Sequence, residues 1–437
     1  MEFELDSGNT AWLLASASLV LLMTPGLAFF YGGMVRGKSV LNMMMMSFSA
    51  IGVVGLIWVL YGYSLAFGSD VAGLFGNPAD YFGLTLDNAA SPTTGVGIPA
   101  LVFAGFQATF AIITVALISG AIADRVKFGT WIVFTIIWVT VVYAPLAHWV
   151  WGGGMFGADG WLASALSLPI DFAGGTVVHI NAGAAGLALA LVIGKRKGFG
   201  REPMRPHNLP FVMLGAALLW FGWFGFNAGS ELAADGTAGR AWINTLVATG
   251  VAMLAWLATE KFRDGHATSL GAASGVVAGL VAITPAAGTV DTYGAIVIGL
   301  VSGILCALAV GLKYRFGYDD SLDVVGVHLV GGLVGTVLIG FFATNGRYDS
   351  FYFEGSQDGL FYGGGVTQLL SQIVAAVIAL AFSFVLTAII GVILKATLGW
   401  RIPEENEVAG IDLAVHGETA YETITQGTGS VIREVRA

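Results

Sequence analysis

Residues 171–186 read Asp-Phe-Ala-Gly-Gly-Thr-Val-Val-His-Ile-Asn-Ala-Gly-Ala-Ala-Gly, an acid followed by an apolar run that contains one histidine. The run predicts a helix that begins at Asp171 and places His179, eight residues later, about 12 Å deeper at about 1.5 Å per residue. An ionisable side chain near the middle of a membrane is costly and marks a functional site. His179 is therefore the first candidate functional residue.

The same signature occurs once more, in the second half of the chain. Asp320 and His328 repeat the eight-residue separation. Each histidine begins the pattern His-x-x-x-Gly-x-x-Gly. The glycines that complete the two copies are Gly183, Gly186, Gly332 and Gly335. Two copies this far apart indicate a duplicated half-chain rather than a short repeat.

The composition is that of an integral membrane protein. Of 437 residues, 56% are hydrophobic and 11% are charged, and the mean hydropathy is +0.80, whereas soluble domains carry about 25% charged residues. The single cysteine, Cys306, excludes an intrachain disulfide and most cysteine-based metal sites. The sequence lacks a nucleotide-binding loop, an HExxH motif and a nucleophile with a base at motif spacing. We therefore predict no enzyme, no cofactor and, because the basic residues are scattered, no nucleic-acid binding.

Eleven apolar segments are long enough to cross a bilayer, at about 20 residues each. The last of them, 363–394, would reach about 48 Å at about 1.5 Å per residue, against a hydrocarbon core of about 30 Å. This helix should therefore tilt strongly. The predicted segments are 10–34, 40–67, 99–122, 129–151, 172–194, 208–229, 240–260, 268–285, 293–312, 324–343 and 363–394.

The charges of the loops predict the orientation. With the N-terminus outside, all of the 19 Lys and Arg residues except Arg240 and Arg347 fall in inner loops or in the C-terminal tail. Membrane proteins carry such an excess of basic residues on the cytoplasmic side. Five segments per half, over about 10–194 and 208–343, make the second half inverted relative to the first. We predict an all-α transmembrane domain over 1–400, with a five-plus-five inverted repeat and a long tilted eleventh helix, and a cytoplasmic tail over 401–437.

The ionisable residues restrict what can cross the centre. Every Asp and Glu falls in a loop, in the tail or within about a turn of a segment end, so His179 and His328 are the only readily titrating side chains predicted at depth. A bare cation in a dry apolar medium costs on the order of tens of kcal/mol. The species at the centre should therefore be neutral, and two imidazoles can relay a hydrogen bond or a proton without a fixed charge.

Structural roles are the alternatives for these residues. A histidine can tie two helices together by a hydrogen bond, although two histidines in matching repeat positions argue against this. Asp171 can cap a helix, and its charge can also stabilise a cation waiting at the outer mouth. Aromatic residues such as Trp149 and Trp161 can form an interfacial belt, or rings with a hydroxyl can form a cation–π pocket for a small ammonium ion.

Five motifs resemble the ammonium transporter family, which comprises Amt and MEP proteins and is distantly related to the Rhesus proteins. The resemblance covers nearly the whole chain. Trp151 and Ser230 favour the Amt branch, because Rhesus-type members generally lack both residues. The motifs are FFYGGMVRGKSVL at 29–41, DFAGGTVVHIN at 171–181, WFGFNAGS at 223–230, DVVGVH at 323–328 and the tail segment 410–421.

The resemblance implies a pore with an outer cation site, a stacked phenylalanine gate and two facing histidines. Ammonium would bind at the outer site, lose its proton near the gate and pass inward as ammonia. The residues implied are Phe110, Trp151, Ser230 and Asp171 for the outer site, Phe110 and Phe226 for the gate, and His179, His328 and Trp223 for the pore, with Tyr143 supporting the mouth.

The resemblance also implies a homotrimer in the plasma membrane, with one pore per subunit. In many bacteria and archaea the inner tail of this family couples to a PII-type signalling protein. Ammonium uptake is thus the predicted function. Two alternatives stay open. One is an ammonium sensor that signals through its tail, and the other is a cation-coupled carrier for a different solute, against which the missing deep carboxylate argues.

Overall fold

The computed structural model describes residues 4–85, 97–344 and 353–421. In this part of the chain eleven helices are long and apolar enough to cross a membrane. Their ends lie within about one helical turn of the predicted boundaries, so the predicted number and positions are confirmed. We number them α1 Ser7–Met34, α2 Val40–Phe67, α3 Ala100–Ile122, α4 Phe128–Trp151, α5 Gly175–Ile193, α6 Leu209–Gly229, α7 Gly236–Asp264, α8 Ser269–Ala286, α9 Thr292–Phe316, α10 Val325–Phe342 and α11 Thr367–Thr397.

The odd number of helices places the two ends of the described chain on opposite faces. We call the face where α1 begins the N-terminal face, and the face where α11 ends the C-terminal face. On the N-terminal face, two short antiparallel strands, β1 (Asp70–Val71) and β2 (Phe75–Gly76), follow α2. The predictions that concern Arg347 and residues 422–437 lie outside the described residues.

Side-chain caps mark the first residues of five of the helices. The caps are Asp6 for α1, Asn208 for α6, Asp235 for α7, Thr268 for α8 and Asp291 for α9. Each accepts a hydrogen bond from a backbone amide of its first turn, which has no partner within the helix.

The tail packs on the C-terminal face and caps a further helix. The carboxylate of Asp412 accepts hydrogen bonds from the backbone amides of Leu41, at 3.0 Å, and Asn42, at 2.8 Å. These amides belong to the first turn of α2, whose own N-cap residue, Ser39, forms no side-chain cap bond. A short helix, α12 (Glu404–Ala409), precedes this contact. Residues 401–421 are therefore built into the C-terminal face.

The two signature stretches follow the same backbone course. Each acid is followed, three residues later, by a residue with left-handed φ: Gly174 at 115° after Asp171, and Asp323 at 64° after Asp320. Both α5 and α10 then open with a π-helical turn that contains the histidine. This shared course agrees with the predicted duplication of half the chain.

Helix α5 begins later than the sequence predicted, whereas α10 begins at Val325, within one residue of its predicted start. We expected α5 to begin at Asp171, with His179 eight residues inside it, and this expectation is wrong. Helix α5 begins at Gly175, so His179 lies in its opening π-helical segment, as His328 does in α10. The cause is that residues 167–174 run into the interior as buried, non-helical chain before the left-handed residue starts the helix.

The two helices cross reciprocally at two of the signature glycines. A Cβ atom on Gly183 of α5 would lie 2.5 Å from the backbone nitrogen of Leu329, and one on Gly332 of α10 would lie 3.1 Å from that of Ile180. Each glycine therefore faces the residue that follows the histidine of the other helix. At Gly183 only glycine permits this approach, whereas at Gly332 a Cβ atom would require its neighbours to shift by a few tenths of an ångström. The crossing is that of an inverted repeat, and it brings the two histidines together.

Helix α11 has 31 residues and packs along α5 and α10. Side chains on its buried face form hydrogen bonds with the backbone of the irregular segment that precedes α5. The Gln372 amide accepts from the Ile170 amide at 2.6 Å and donates to the Ile170 carbonyl at 2.8 Å, and Ser371 donates to the Ser167 carbonyl at 2.6 Å. Non-helical backbone at membrane depth requires such partners. The sequence signal for this role is the pair Gln368 and Gln372, one turn apart in an apolar helix.

Candidate functional site

A cavity of about 190 Å³ opens on the N-terminal face, in front of α5. All four residues predicted for the outer site line it: Phe110, Trp151, Asp171 and Ser230. Among the described residues that line it, none is Lys or Arg, and Asp171 carries the only carboxyl group. The structure therefore brings together the predicted residues at one accessible cavity, which we call the outer cavity. Its other lining residues are Phe103, Gln107, Val150, Leu168, Pro169, Phe172, Leu232 and Phe353.

The polar groups of the outer cavity are oriented by the backbone. Ser230 Oγ donates to the carbonyl oxygen of Phe226 at 2.7 Å, so the acceptor lone pairs of this hydroxyl stay available. Trp151 Nε1 donates to the Asp171 carbonyl at 3.0 Å. This bond holds the indole edge-on to Phe110, with ring centroids 6.0 Å apart. Ring faces beside one hydroxyl acceptor suit a small cation that donates hydrogen bonds.

The carboxylate of Asp171 caps α5. It accepts from the backbone amides of Gly174 at 2.8 Å, Gly175 at 2.5 Å, Thr176 at 2.8 Å and Val177 at 3.2 Å, and also from the Thr176 hydroxyl. The predicted capping role is therefore confirmed by the geometry. The negative charge lies at the wall of the outer cavity, and its predicted effect on a bound cation stays a prediction.

Two phenylalanine rings separate the outer cavity from the interior. Phe110 and Phe226 stack with centroids 4.1 Å apart and planes inclined by 25°, and both side chains are buried. The path inward is closed by this contact, so a molecule passes only if the rings move. The stacked arrangement is the predicted one, whereas its role as a gate stays a prediction.

His179 and His328 face each other beyond the phenylalanine rings. Their Nδ1 atoms are 3.3 Å apart, and the rings are nearly parallel, inclined by 21° with centroids 5.4 Å apart. In the neutral pair one Nδ1 donates and the other accepts, so the two rings hold different tautomers. Trp223 stacks on His179 at 5.4 Å. Nε2 of His179 has no hydrogen-bond partner among the described residues, which leaves it free to contact a small polar molecule.

A narrow space of about 10 Å³ runs beside the two histidines. A water-sized molecule needs about 10–15 Å³ measured in this way, so the space is on the scale of one small molecule. Apart from the two histidines, no titratable side chain is found among the described residues that line it. The lining residues are Met23, Leu27, Phe30, Ile113, Leu117, Val178, His179, Leu219, Trp223, Phe226, Val277 and His328.

The structure adds two residues to the outer cavity and its rim for which no role was predicted. Gln107 lines the outer cavity, and its Oε1 is buried without a partner among the described residues. Glu231 follows Ser230, is buried, and has an Oε2 atom without a partner among the same residues. Burial, together with the charge of Asp235, raises the pKa of Glu231 to about 8. An unpaired amide oxygen at the cavity is a further acceptor for a cation.

Three aromatic residues near the N-terminal face lie outside the outer cavity. Tyr143 is fully buried against Trp58, with centroids 6.1 Å apart, so it contributes to the wall rather than to the lining. Trp149 is also buried and donates from Nε1 to the Leu74 carbonyl at 2.8 Å. This anchors the loop between the two short strands. Trp161 is 56% exposed, as expected of an interfacial belt residue.

On the C-terminal face the second acid has different neighbours. Asp320 caps α10 by accepting from the amides of Val324 at 3.1 Å and Val325 at 2.8 Å. Lys313 Nζ donates to the Asp320 carbonyl oxygen at 3.0 Å and to the Asp323 carboxylate at 2.6 Å. Burial raises the pKa of Asp320 to about 6, and the neighbouring Lys313 opposes this shift.

The chain matches the model of the Ammonium Transporter Family over residues 11–421. It is 57% identical to an ammonium transporter of Mycobacterium tuberculosis, in an alignment that covers 98% of this chain and 92% of the relative. It is 51% identical to an ammonium transporter of Aquifex aeolicus, over 96% of this chain and 95% of the relative. Both relatives are named as transport proteins rather than enzymes.

Solved structures of the family have the same fold. The crystal structure of Mep2 from Saccharomyces cerevisiae aligns with a TM-score of 0.86 and 35% identity, covering 99% of this chain and 95% of that one. A structure named as a sensor Amt protein aligns with a TM-score of 0.83 and 30% identity, covering 93% of this chain and 98% of that one. The multi-pass helical chain described above therefore belongs to the ammonium transporter family.

Proposed function

We propose that this transporter recruits ammonium as a cation on the N-terminal face, removes its proton, and passes ammonia along the two histidines. The observation that carries the proposal is the order of the groups along one path. A cavity of aromatic and polar residues is followed by the stacked rings of Phe110 and Phe226, and then by His179 and His328 in an apolar space without a carboxylate among its described lining residues.

Recruitment rests on attraction that works only for a cation. The ring faces of Phe110 and Trp151 stabilise ammonium by cation–π contact, which contributes about 0.5–2 kcal/mol. Ser230 and Gln107 offer oxygen acceptors for its N–H groups. The Asp171 carboxylate adds a favourable field from the cavity wall. Ammonia, which carries no charge, gains little from the aromatic rings, so the outer cavity selects the protonated form.

Loss of the proton follows from the change of surroundings beyond the rings. None of the described residues that line the space beside the histidines is Asp, Glu, Lys or Arg, and the penalty for a bare ion in an apolar medium is on the order of tens of kcal/mol. Neutral ammonia keeps one lone pair and three N–H groups. The unpaired Nε2 of His179 provides a hydrogen-bonding partner at this depth. The histidines thus replace part of the hydration of ammonia without adding a charge.

The test is transport by the purified protein in liposomes, with His179→Ala and His328→Ala as variants. We expect ammonium transport to fall about tenfold or more, equivalent to about 1.4 kcal/mol or more, or selectivity against other cations to be lost. His266→Ala is the matched control, because His266 is exposed in the loop between α7 and α8. Unchanged rate and selectivity in both pore variants would contradict the proposal. Recording the accompanying current measures whether the proton also crosses.

We further propose that the N-terminal face is extracellular, that residues 401–437 form a cytoplasmic tail beside the transmembrane domain at 1–400, and that the protein is a homotrimer. The excess of Lys and Arg in the loops and the tail on the C-terminal face supports the orientation. Proteolysis of sealed right-side-out vesicles tests it, since the tail should be protected. Native mass spectrometry in detergent tests the trimer.

A sensory role is the second candidate, supported by the resemblance to a structure named as a sensor Amt protein and by the docked tail. We propose it as an addition to transport, with a PII-type protein as the partner on the C-terminal face. A chain truncated after Ile402 should still transport but lose nitrogen-dependent regulation. Because Asp412 caps α2, the variant Asp412→Asn is a milder test of the same contact. Loss of transport with unaltered regulation would oppose the sensory role.

A further inference from the structure

The two mouths of the path are built around equivalent acids, yet only one of them is free of a neighbouring cation. Asp171 and Asp320 each cap a half-helix that carries a pore histidine. The outer cavity in front of Asp171 has no Lys or Arg among its described lining residues. Beside Asp320, the ammonium group of Lys313 is bound between a carbonyl oxygen and the Asp323 carboxylate.

The acids around Lys313 lie at the C-terminal end of the path. Leu117 lines the space beside the histidines, and its carbonyl accepts from the Tyr31 hydroxyl at 3.1 Å. One turn further along α3, the carbonyl oxygen of Gly120 accepts a hydrogen bond from the backbone amide of Leu322 at 3.0 Å. The end of α3 therefore links the space beside the histidines to the segment that contains the two acids. Leu322 lies between the two acids in sequence. The side chain of Asp323 is 26% exposed and that of Lys313 is 9% exposed, so this group opens toward the C-terminal face.

The chemistry of Lys313 matches that of the substrate. A protonated lysine ends in a primary ammonium with three N–H donors, which is the ammonium ion with one hydrogen replaced by a carbon chain. It makes the contacts that an ammonium ion would make beside these oxygens. The segment that precedes the first acid, residues 152–170, contains no Lys or Arg. The cation is thus a feature of one half only.

We propose that Lys313 is a tethered substitute for ammonium at the C-terminal mouth, and that it prevents recruitment of the ion there. This inference rests on the proposed function. The lysine occupies the acceptors and repels a second cation, so ammonium is concentrated at the N-terminal face alone. The equilibrium between the two sides is unchanged, because a binding group alters only rates and saturation. The measurable consequence is a lower half-saturating ammonium concentration on the N-terminal face than on the C-terminal face.

The experiment uses the full-length protein in proteoliposomes of known orientation, with ammonium supplied from one face at a time. Lys313→Gln should lower the half-saturating concentration on the C-terminal face by about tenfold, which corresponds to about 1.4 kcal/mol of added affinity. The value on the N-terminal face should not change. Lys313→Arg is the conservative control and should keep the wild-type asymmetry, because it keeps the positive charge.

A second variant changes the charge in the opposite direction. Asp323→Asn keeps the lysine and removes one of its acceptors, so it should raise the half-saturating concentration on the C-terminal face. This prediction stands even if Lys313→Gln fails to fold. The proposed role of Lys313 would be overturned if Lys313→Gln and Asp323→Asn changed the half-saturating concentration equally on both faces. It would also be overturned if they left the value on the C-terminal face unchanged. Loss of the proposed function itself would appear differently, as wild-type protein without ammonium transport from either face.

Discussion

The half-helices α5 and α10 share a backbone but not their surroundings. In each, an acid caps the helix, a left-handed residue precedes it, and a histidine lies in the first π-helical turn. Around α5 lie aromatic rings, a hydroxyl and the amide of Gln107, whereas around α10 lie Lys313 and a second carboxylate. The duplicated backbone therefore positions the two histidines, while the side chains that are not duplicated make the two mouths different.

The largest loss of stability is expected where the two half-helices cross. Gly183→Ala would place a Cβ atom 2.5 Å from Leu329 backbone, whereas Gly332→Ala would place one 3.1 Å from Ile180. We expect the first variant to lose up to about 3 kcal/mol of stability by overpacking and the second to lose less. Thermal unfolding in detergent measures this. Gly52→Ala is the control, since nothing lies within 4 Å of its added Cβ. Equal losses of stability in Gly183→Ala and Gly332→Ala would contradict the closer packing at Gly183.

The segments that precede the two half-helices are held by different side chains, so a substitution can destabilise one segment alone. The segment before α5 depends on Gln372, which pairs both backbone groups of Ile170, whereas Arg196 binds Asp319 before α10. Gln372→Leu leaves two buried backbone groups unpaired, and each costs about 1–3 kcal/mol. We expect a loss of at least about 2 kcal/mol in the same assay, which is the lower bound for two such groups. The exposed Gln357→Leu should be neutral, and a neutral Gln372→Leu would show that α11 is not a support for this segment.

A smaller effect concerns the outer cavity alone. Ser230→Ala removes a hydroxyl acceptor that is worth about 1 kcal/mol, so the half-saturating ammonium concentration on the N-terminal face should rise about fivefold. Kinetics on the C-terminal face should keep their wild-type concentration dependence. One-sided ammonium uptake in oriented liposomes measures both values. An equal rise on both faces would place Ser230 outside a face-specific site.

A pH dependence of stability is expected at the rim of the outer cavity. The pKa of Glu231 is raised by burial from 4.5 to about 8. The folded protein therefore holds this proton more tightly than the unfolded chain, and the resulting stability is complete below pH 4.5 and is lost as the pH rises through 8. Glu231→Gln lacks this loss, so its melting temperature should gain on that of wild type between pH 5 and pH 9. A difference in melting temperature between Glu231→Gln and wild type that stays constant across this pH range would contradict the raised pKa of Glu231.

The sequence predicted the eleven helices and the matching histidines because these depend on hydropathy and on residue identity. It placed the first residue of α5 four positions too early, because the left-handed residue Gly174 and the buried chain before it leave no periodic signal. The partner of that buried chain, Gln372, lies about 200 positions away, and only the fold brings them together. The same is true of the tail residue Asp412, which caps a helix near the start of the chain.

The outer cavity shows the same division. The residues implied by the family resemblance meet at one cavity, because Trp151 ends α4, Asp171 precedes α5 and Ser230 follows α6 on the same face, with Phe110 of α3 beneath them. The contribution of Gln107 was not predicted, since an amide one turn from Phe110 carries no motif. The hydrogen bond between Lys313 and Asp323 could not be predicted from the sequence either, because the two residues belong to different elements.

We propose that the molecule passing the two histidines carries no charge. The most direct measurement compares ammonium with potassium, a cation of similar size that has no proton to lose, as equal gradients across liposomes that contain only this protein. We expect ammonium transport without potassium flux in the wild-type protein, and lost ammonium transport or new potassium flux in the His179→Ala, His328→Ala double variant. Potassium flux through the wild-type pore at a rate near that of ammonium would contradict it.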